Sequence, residues 1–159
     1  MKVTILCVGK LKEKFYRDAV DEYAKRLGKY CKFEMIEVAD EQTPDRAGAA
    51  LEEQIKAREA ERLLARLRDN MLVCTLEIAG KRLNSEQFAT WMEQAAIAGR
   101  SNICFVIGGS LGLHNSVAER ADFHLSFSDM TFPHQLMRVI LSEQIYRAFR
   151  INAGEPYHK

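Results

Sequence analysis

The feature that most constrains this chain is a regular alternation of short apolar, β-prone runs with amphipathic stretches of helical period. The runs VTILCV (residues 3–8), FEMIEV (33–38), MLVCTLEI (71–78), NICFVIGG (102–109) and FHLSF (123–127) read as strands. Between them, helical patterns cover roughly 13–28, Asp45 to Arg68, a segment capped at Asn84 or Ser85, a short piece from Asn115, and a last helix from Pro133 to about Arg150. Alternation of this kind predicts an α/β fold with a mostly parallel sheet and helices on both faces. No repeat and no linker rich in Pro, Gly or Ser interrupts it, so residues 1–159 are expected to form a single domain.

Composition excludes several alternatives. Hydrophobic residues make up 47% of the chain and charged residues 28%, as in soluble globular proteins, and no apolar run approaches the ~20 residues that cross a bilayer. The apolar N-terminus is followed by Lys10, Lys12 and Lys14 where a cleavable leader would carry small residues, which favours a strand. Cys7, Cys31, Cys74 and Cys104 contain no C-x-x-C pair and are expected as free, mostly buried thiols of a reducing cytoplasm. His114, His124 and His134 fall ten residues apart, without metal-ligand spacing, so no metal is expected.

Charge is uneven. The net charge is only +1, but residues 10–32 carry eight basic side chains against four acidic ones. A solvated helix face explains that stretch as well as a phosphate-binding one does. On the long second helix, Glu52 and Lys56 have i,i+4 spacing and are expected to pair.

Four stretches could carry chemistry. Gly108-Gly109-Ser110-Leu111-Gly112 follows a strand, where glycines let backbone amides approach a ligand; a plain tight turn is an equal reading. Phe127-Ser128-Asp129-Met130-Thr131-Phe132-Pro133-His134 ends another strand, with Thr131 as a candidate cap, Pro133 suited to a first helical turn, and aromatic walls for an adenine ring. The last helix spreads Leu136, Met137, Val139, Ile140, Leu141, Ile145, Tyr146, Ala148 and Phe149 over more than one face, as a helix buried against its own domain and a second subunit would. Glu143 and Arg147 lie one turn apart on it. The tail ends Tyr157-His158-Lys159, a stacking ring, a proton acceptor and a cation, although chain ends commonly fray.

Taken together, FVIGGSLGL, HLSFSDMTFPHQLMRVILSEQIYRAFRI and the terminal PYHK resemble the RlmH family of the SPOUT methyltransferase superfamily, with the opening V-x-x-x-x-V-G-K strand extending the resemblance to the whole chain. The resemblance implies an enzyme that methylates N3 of a pseudouridine in 23S ribosomal RNA, on the assembled ribosome. It implies a C-terminal deep trefoil knot, an exception to the rule that chains do not knot, and a homodimer packed through that region. S-adenosyl-L-methionine would be held by Leu76, Gly108, Phe127, Ser128, Asp129, Met130, Thr131 and Phe132. The RNA site would draw on His134, Glu143, Arg147, Tyr157, His158 and Lys159. Among these, His158, Arg147 and Tyr157 are the candidates for catalysis.

Overall fold

The computed structural model describes residues 1–159 and contains five strands and five helices in strict alternation: β1 (Lys2–Val8), α1 (Lys14–Leu27), β2 (Lys32–Val38), α2 (Ala49–Leu64), β3 (Leu72–Arg82), α3 (Ser85–Ile97), β4 (Asn102–Ile107), α4 (Asn115–Arg120), β5 (Phe123–Ser126) and α5 (His134–Asn152). The strands form one sheet in the order β2-β1-β4-β3-β5, and every pairing is parallel.

A parallel sheet needs both faces covered, and the strand pattern supplies apolar residues to both. Val3, Ile5, Cys7, Ile103, Phe105 and Ile107 point to one face, where they meet Leu27 of α1, Phe88 and Met92 of α3, and Leu141 and Ile145 of α5. Leu6, Val8, Cys104 and Val106 point to the other, against Ala60 and Leu63 of α2 and Val117 of α4. Each fully buried aliphatic or aromatic side chain here contributes about 1.5–3 kcal/mol relative to exposure. The parallel α/β arrangement with helices on both faces is as the sequence predicts.

Several boundaries differ from the sequence reading. The second helix starts at Ala49, not Asp45, because Pro44 to Ala47 close a turn (Ala47 N–H to Pro44 O, 3.1 Å) and Gly48 stays extended as the N-cap. On it Lys56 pairs with Glu53 at 3.3 Å, three residues away, in place of Glu52. Strand β3 runs on past Ile78 to Arg82. Its register against β5 shifts between Leu76 and Lys81, and Gly80 lies so close to β5 that a Cβ would sit 2.8 Å from the carbonyl carbon of Leu125. At α3 the capping residue is Asn84, whose side chain accepts from Gln87 N–H at 2.8 Å while the Gln87 side chain accepts from Asn84 N–H at 2.9 Å.

The fifth helix runs between α1 and α3 across one face of the sheet. Pro133 is its N-cap rather than its first helical residue, and no side chain caps it, Thr131 included. Only Asn152 among its residues is exposed, so the apolar circumference read in the sequence is largely covered within the chain.

Candidate active site

The carboxyl ends of β4 and β5 and the stretch of β3 where its register shifts open into a cavity of about 680 Å³, bordered on the far side by the first turn of α5. Leu76, Glu77 and Ile78 come from β3, Ile107 from β4, residues 108–113 from the following loop, and Phe127 to His134 (Asp129 apart) from the segment entering α5. Glycine is required at Gly108, since a Cβ there would lie 2.8 Å from the carbonyl carbon of Gly112 and 2.9 Å from its oxygen. The loop closes on itself through Gly112 N–H to Gly109 O at 3.1 Å, with Gly112 at φ +83. Behind it sits Glu59, 5% exposed, which accepts from Glu41 N–H at 3.1 Å and packs against Gly109.

The walls are mainly apolar and aromatic, and Glu77 and His134 are the only ionisable side chains among the lining residues. Glu77 is held from its own strand and from β5: Thr75 Oγ1 donates to its Oε2 at 2.5 Å, and His124 Nδ1 bonds the same oxygen. Burial first, and the positive charge of Arg138 second, hold His134 below the ordinary imidazole range. No lysine or arginine lines the cavity, so a cationic ligand would meet no like charge on the wall.

Arg138, one turn into α5, anchors that turn. Its guanidinium is wholly buried and donates to Glu37 Oε2 at 2.8 Å, Val8 O at 2.8 Å and Gly9 O at 2.9 Å, at the carboxyl ends of β1 and β2. Arg138 Nε has no partner. A buried charge of this kind is tolerated because carbonyls and a carboxylate surround it.

A second cluster forms where the tail folds back on α5. Tyr157 O–H donates to Glu143 Oε1 at 3.0 Å, its ring meets Tyr146 edge-on at 5.0 Å, and the Arg147 guanidinium lies 4.7 Å from its centroid. Glu143 also takes Arg147 Nη2 at 2.6 Å. Arg147 Nη1 donates to His158 Nδ1 at 3.2 Å, which places the proton of a neutral ring on Nε2, facing Glu86 at 3.9 Å. Burial and the hydrogen bond to Glu143 push the Tyr157 phenol up to about 12, so it stays a donor at neutral pH.

The structure thus gathers the sequence candidates into two groups. Leu76, Gly108, Phe127, Ser128, Met130, Thr131, Phe132 and His134 share the cavity. Asp129 does not: it is exposed and paired with Arg82. Glu143, Arg147, Tyr157 and His158 form the second cluster, with Lys159 exposed at its edge. Tyr157 and His158 lie beside Glu143 and Arg147, nine and thirteen residues along α5 from His134, or about 14–20 Å at 1.5 Å per residue. No tail residue lines the cavity of its own chain. Sequence reasoning missed Glu77, Ile78 and Met137 in the wall and Arg138 behind it. Position directly after Leu76 at a strand's carboxyl end was an available signal for Glu77 and Ile78; nothing local marks Arg138.

No group of three or more His, Cys, Asp or Glu side chains converges as a metal site would, and no helix is long and apolar enough to cross a membrane. The family described as Predicted SPOUT methyltransferase matches residues 1–158. Full-length similarity extends to proteins named Ribosomal RNA large subunit methyltransferase H: 59% identity with that of Bifidobacterium adolescentis and 54% with that of Clostridium beijerinckii, each covering 100% of both chains. Among solved structures, a probable methylase family protein from Haemophilus influenzae Rd KW20 superposes with a TM-score of 0.52 at 14% identity, over 99% of this chain and 70% of the other, a likeness of fold.

Proposed function

The chain belongs to the SPOUT methyltransferase family, and from that premise we propose that it transfers a methyl group from S-adenosyl-L-methionine to N3 of a pseudouridine in 23S ribosomal RNA, on the assembled ribosome. The observation that carries the reading is full-length identity of 54–59% with relatives named for methylation of large-subunit ribosomal RNA. The cavity supports the cofactor. Its volume lies within the ~300–1,000 Å³ of small-molecule sites, Gly108 leaves room for a close backbone approach, and its wall carries no cation against a sulfonium. Leu76, Gly108 and the segment Phe127–Phe132 would hold it, with Asp129 contributing backbone only.

S-adenosyl-L-methionine supplies a methyl carbon bonded to positively charged sulfur. When bound it would offer that carbon to N3, its sulfur keeping the C–S electron pair, and a base or water would take the N3 proton. The apolar wall would limit water around the reacting atoms and help to hold donor and acceptor together, which is the larger part of what such a transfer needs. His158 is the candidate to take the proton or contact the base, Arg147 and Lys159 to neutralise charge on the imide or phosphate, and Tyr157 and Glu143 to hold Arg147 in place.

Within one chain, the tail and the cavity lie two to four helical turns apart on α5. The active unit is therefore proposed to be a homodimer in which the tail of one subunit completes the cavity of the other. The C-terminal trefoil knot belongs to the same proposal: residues 127–133 leave β5 at one sheet edge and deliver Arg138 to the ends of β1 and β2, crossing the ends of β3 and β4 beside the 108–113 loop. A reducing, cytoplasmic setting fits a ribosomal substrate and four free thiols.

The test uses radiolabelled methyl donor with ribosomes lacking the modification, ribosomes whose target pseudouridine is left as uridine, and naked 23S transcript. Label at one pseudouridine of intact ribosomes alone is expected. Equal labelling of transcript and ribosome would refute the ribosome requirement, and absence of cofactor binding would refute the enzyme.

A further inference from the structure

The loop between β1 and α1 is held far more tightly than a surface turn requires. Gly9 N–H donates to Val38 O at 2.8 Å, Leu11 N–H to Glu37 Oε2 at 2.7 Å, and Lys12 N–H to Gln135 Oε1 at 3.1 Å. Its carbonyls are engaged too: Gly9 O by Arg138 at 2.9 Å, Leu11 O and Lys12 O by Arg17 Nη1 at 3.0 and 2.9 Å. The Val38 carbonyl and side chains from β2, α1 and α5 thus fix both backbone groups of Gly9, Leu11 and Lys12. Gly9, at φ +86, permits the turn. Two of the fixing residues, Gln135 and Arg138, belong to the helical turn whose His134 lines the cavity, so loop and cavity rim form one assembly.

What this rigid backbone displays is Lys10 and Lys12, both exposed and neither in an ion pair, while neighbouring Lys14 is paired with Asp18 at 2.6 Å. Lys12 is close enough to His134 for its charge to act on the imidazole. The acids here without basic partners are Glu13 and Asp40, so with Arg17 the local positive surplus is small. It suits one or two phosphates rather than a duplex face. A preordered backbone reduces the ordering cost of binding, which a freely moving lysine pair would carry.

We propose that the Gly9–Lys12 loop is a phosphate-binding edge of the RNA site, with Lys10 and Lys12 gripping the backbone of the substrate strand at the rim of the methyl-donor cavity, away from the contacts supplied by the C-terminal tail. The proposal rests on the RNA methyltransferase reading. It explains how a chain of net charge +1 orients RNA: a few fixed cations at the reacting end, with the remaining affinity coming from elsewhere on the ribosome.

The experiment compares wild type, Lys10→Gln/Lys12→Gln, and a charge-matched control, Arg58→Gln/Arg66→Gln, whose exposed side chains lie on α2 and just beyond it, on the opposite face of the sheet. Binding to unmodified bacterial ribosomes is measured from about 50 to 200 mM KCl, with affinity for S-adenosyl-L-methionine and methyl transfer read in parallel. Expected for the lysine variant are binding weaker by about 10-fold at low salt, a log–log salt slope shallower by roughly 1–2, and unchanged cofactor affinity, with the control resembling wild type. A lysine variant with wild-type affinity and slope, or an equal loss in the control, overturns the proposal. If wild type binds ribosomes without transferring label, the reaction reading falls while the slopes still decide the loop; if wild type does not bind ribosomes, both fall.

Discussion

Arg138 and Glu37 meet at 2.8 Å although 101 residues separate them, and the guanidinium has no exposure to solvent while the carboxylate keeps about a third of its own. The pair fastens the start of α5 to β1 and β2. Removing one partner of a buried pair costs about 3–5 kcal/mol, and here Arg138 serves three acceptors, Glu37 and the Val8 and Gly9 carbonyls, whereas Glu37 is only one of them. Glu37→Gln is expected to cost less than Arg138→Met, since the Val8 and Gly9 carbonyls still hold the guanidinium. Urea titrations should place Arg138→Met at least 3 kcal/mol below wild type; a loss under about 1 kcal/mol would show that the anchor is dispensable.

Gly108→Ala should weaken binding of the methyl donor proposed for the cavity without unfolding the sheet. The new Cβ would press on Gly112 backbone at 2.8 Å, forcing the 108–113 loop to move, at about 1–3 kcal/mol. Gly48→Ala, with nothing within 4 Å, is the matching control. Calorimetric titration should show S-adenosyl-L-methionine affinity lower by ten-fold or more in the first and unchanged in the second.

His134 carries a pH signature. Its folded-state value lies below the unfolded one, so the unfolded chain binds more protons as pH falls through the unfolded imidazole value of about 6.5, and stability declines in that direction. The contribution is fully present above that pH. Once the pH falls below its lower folded-state value, a protonated His134 would also repel a sulfonium, so cofactor affinity should fall on acidification. His134→Asn should flatten both profiles between pH 5 and 7; profiles identical to wild type would refute the role.

Truncation after Pro156 removes Tyr157, His158 and Lys159. The loss of the Tyr146 edge contact and the Glu143 hydrogen bond should lower stability by only about 1–2 kcal/mol. Methyl transfer should drop by about 100-fold or more while cofactor affinity is retained. Mixing truncated subunits with subunits carrying Gly108→Ala should restore part of the activity if each tail serves the partner's cavity; no restoration would place tail and cavity in one chain.

The thiols should be nearly inert in the folded protein. Burial pushes Cys7 and Cys104 up to about 12 and Cys31 to about 11, and raises Cys74 further. Of the four, Cys31 alone is incompletely buried. A disulfide reagent at pH 8 is expected to label Cys31 slowly and all four thiols at once in urea.

Much of this protein was legible locally. Strand and helix periods of two and about 3.6 are written in neighbouring residues, so all ten elements could be placed, and the errors fell at ends such as Asp45 and Ile78 where turns and inter-strand pairing decide. The glycine loop after β4 and the Phe127–Phe132 segment could be marked as candidates because strand ends with small or aromatic residues suit ligands, and the fold brings both to one cavity. Asp129 could not be separated from its neighbours, since its turn toward Arg82 depends on a residue 47 positions away.

Local sequence set the class of the fold, the two-sided burial of its strands and the positions of the loops that line the cavity, because these follow from short-range periodicity and conformational preference. Tertiary structure alone decided the order β2-β1-β4-β3-β5, the register shift that lengthens β3, the burial of Arg138, and the separation of the tail from the cavity. Each depends on contacts between residues far apart in the chain, and no local pattern sets which distant groups will meet there to exclude water and satisfy one another's charges.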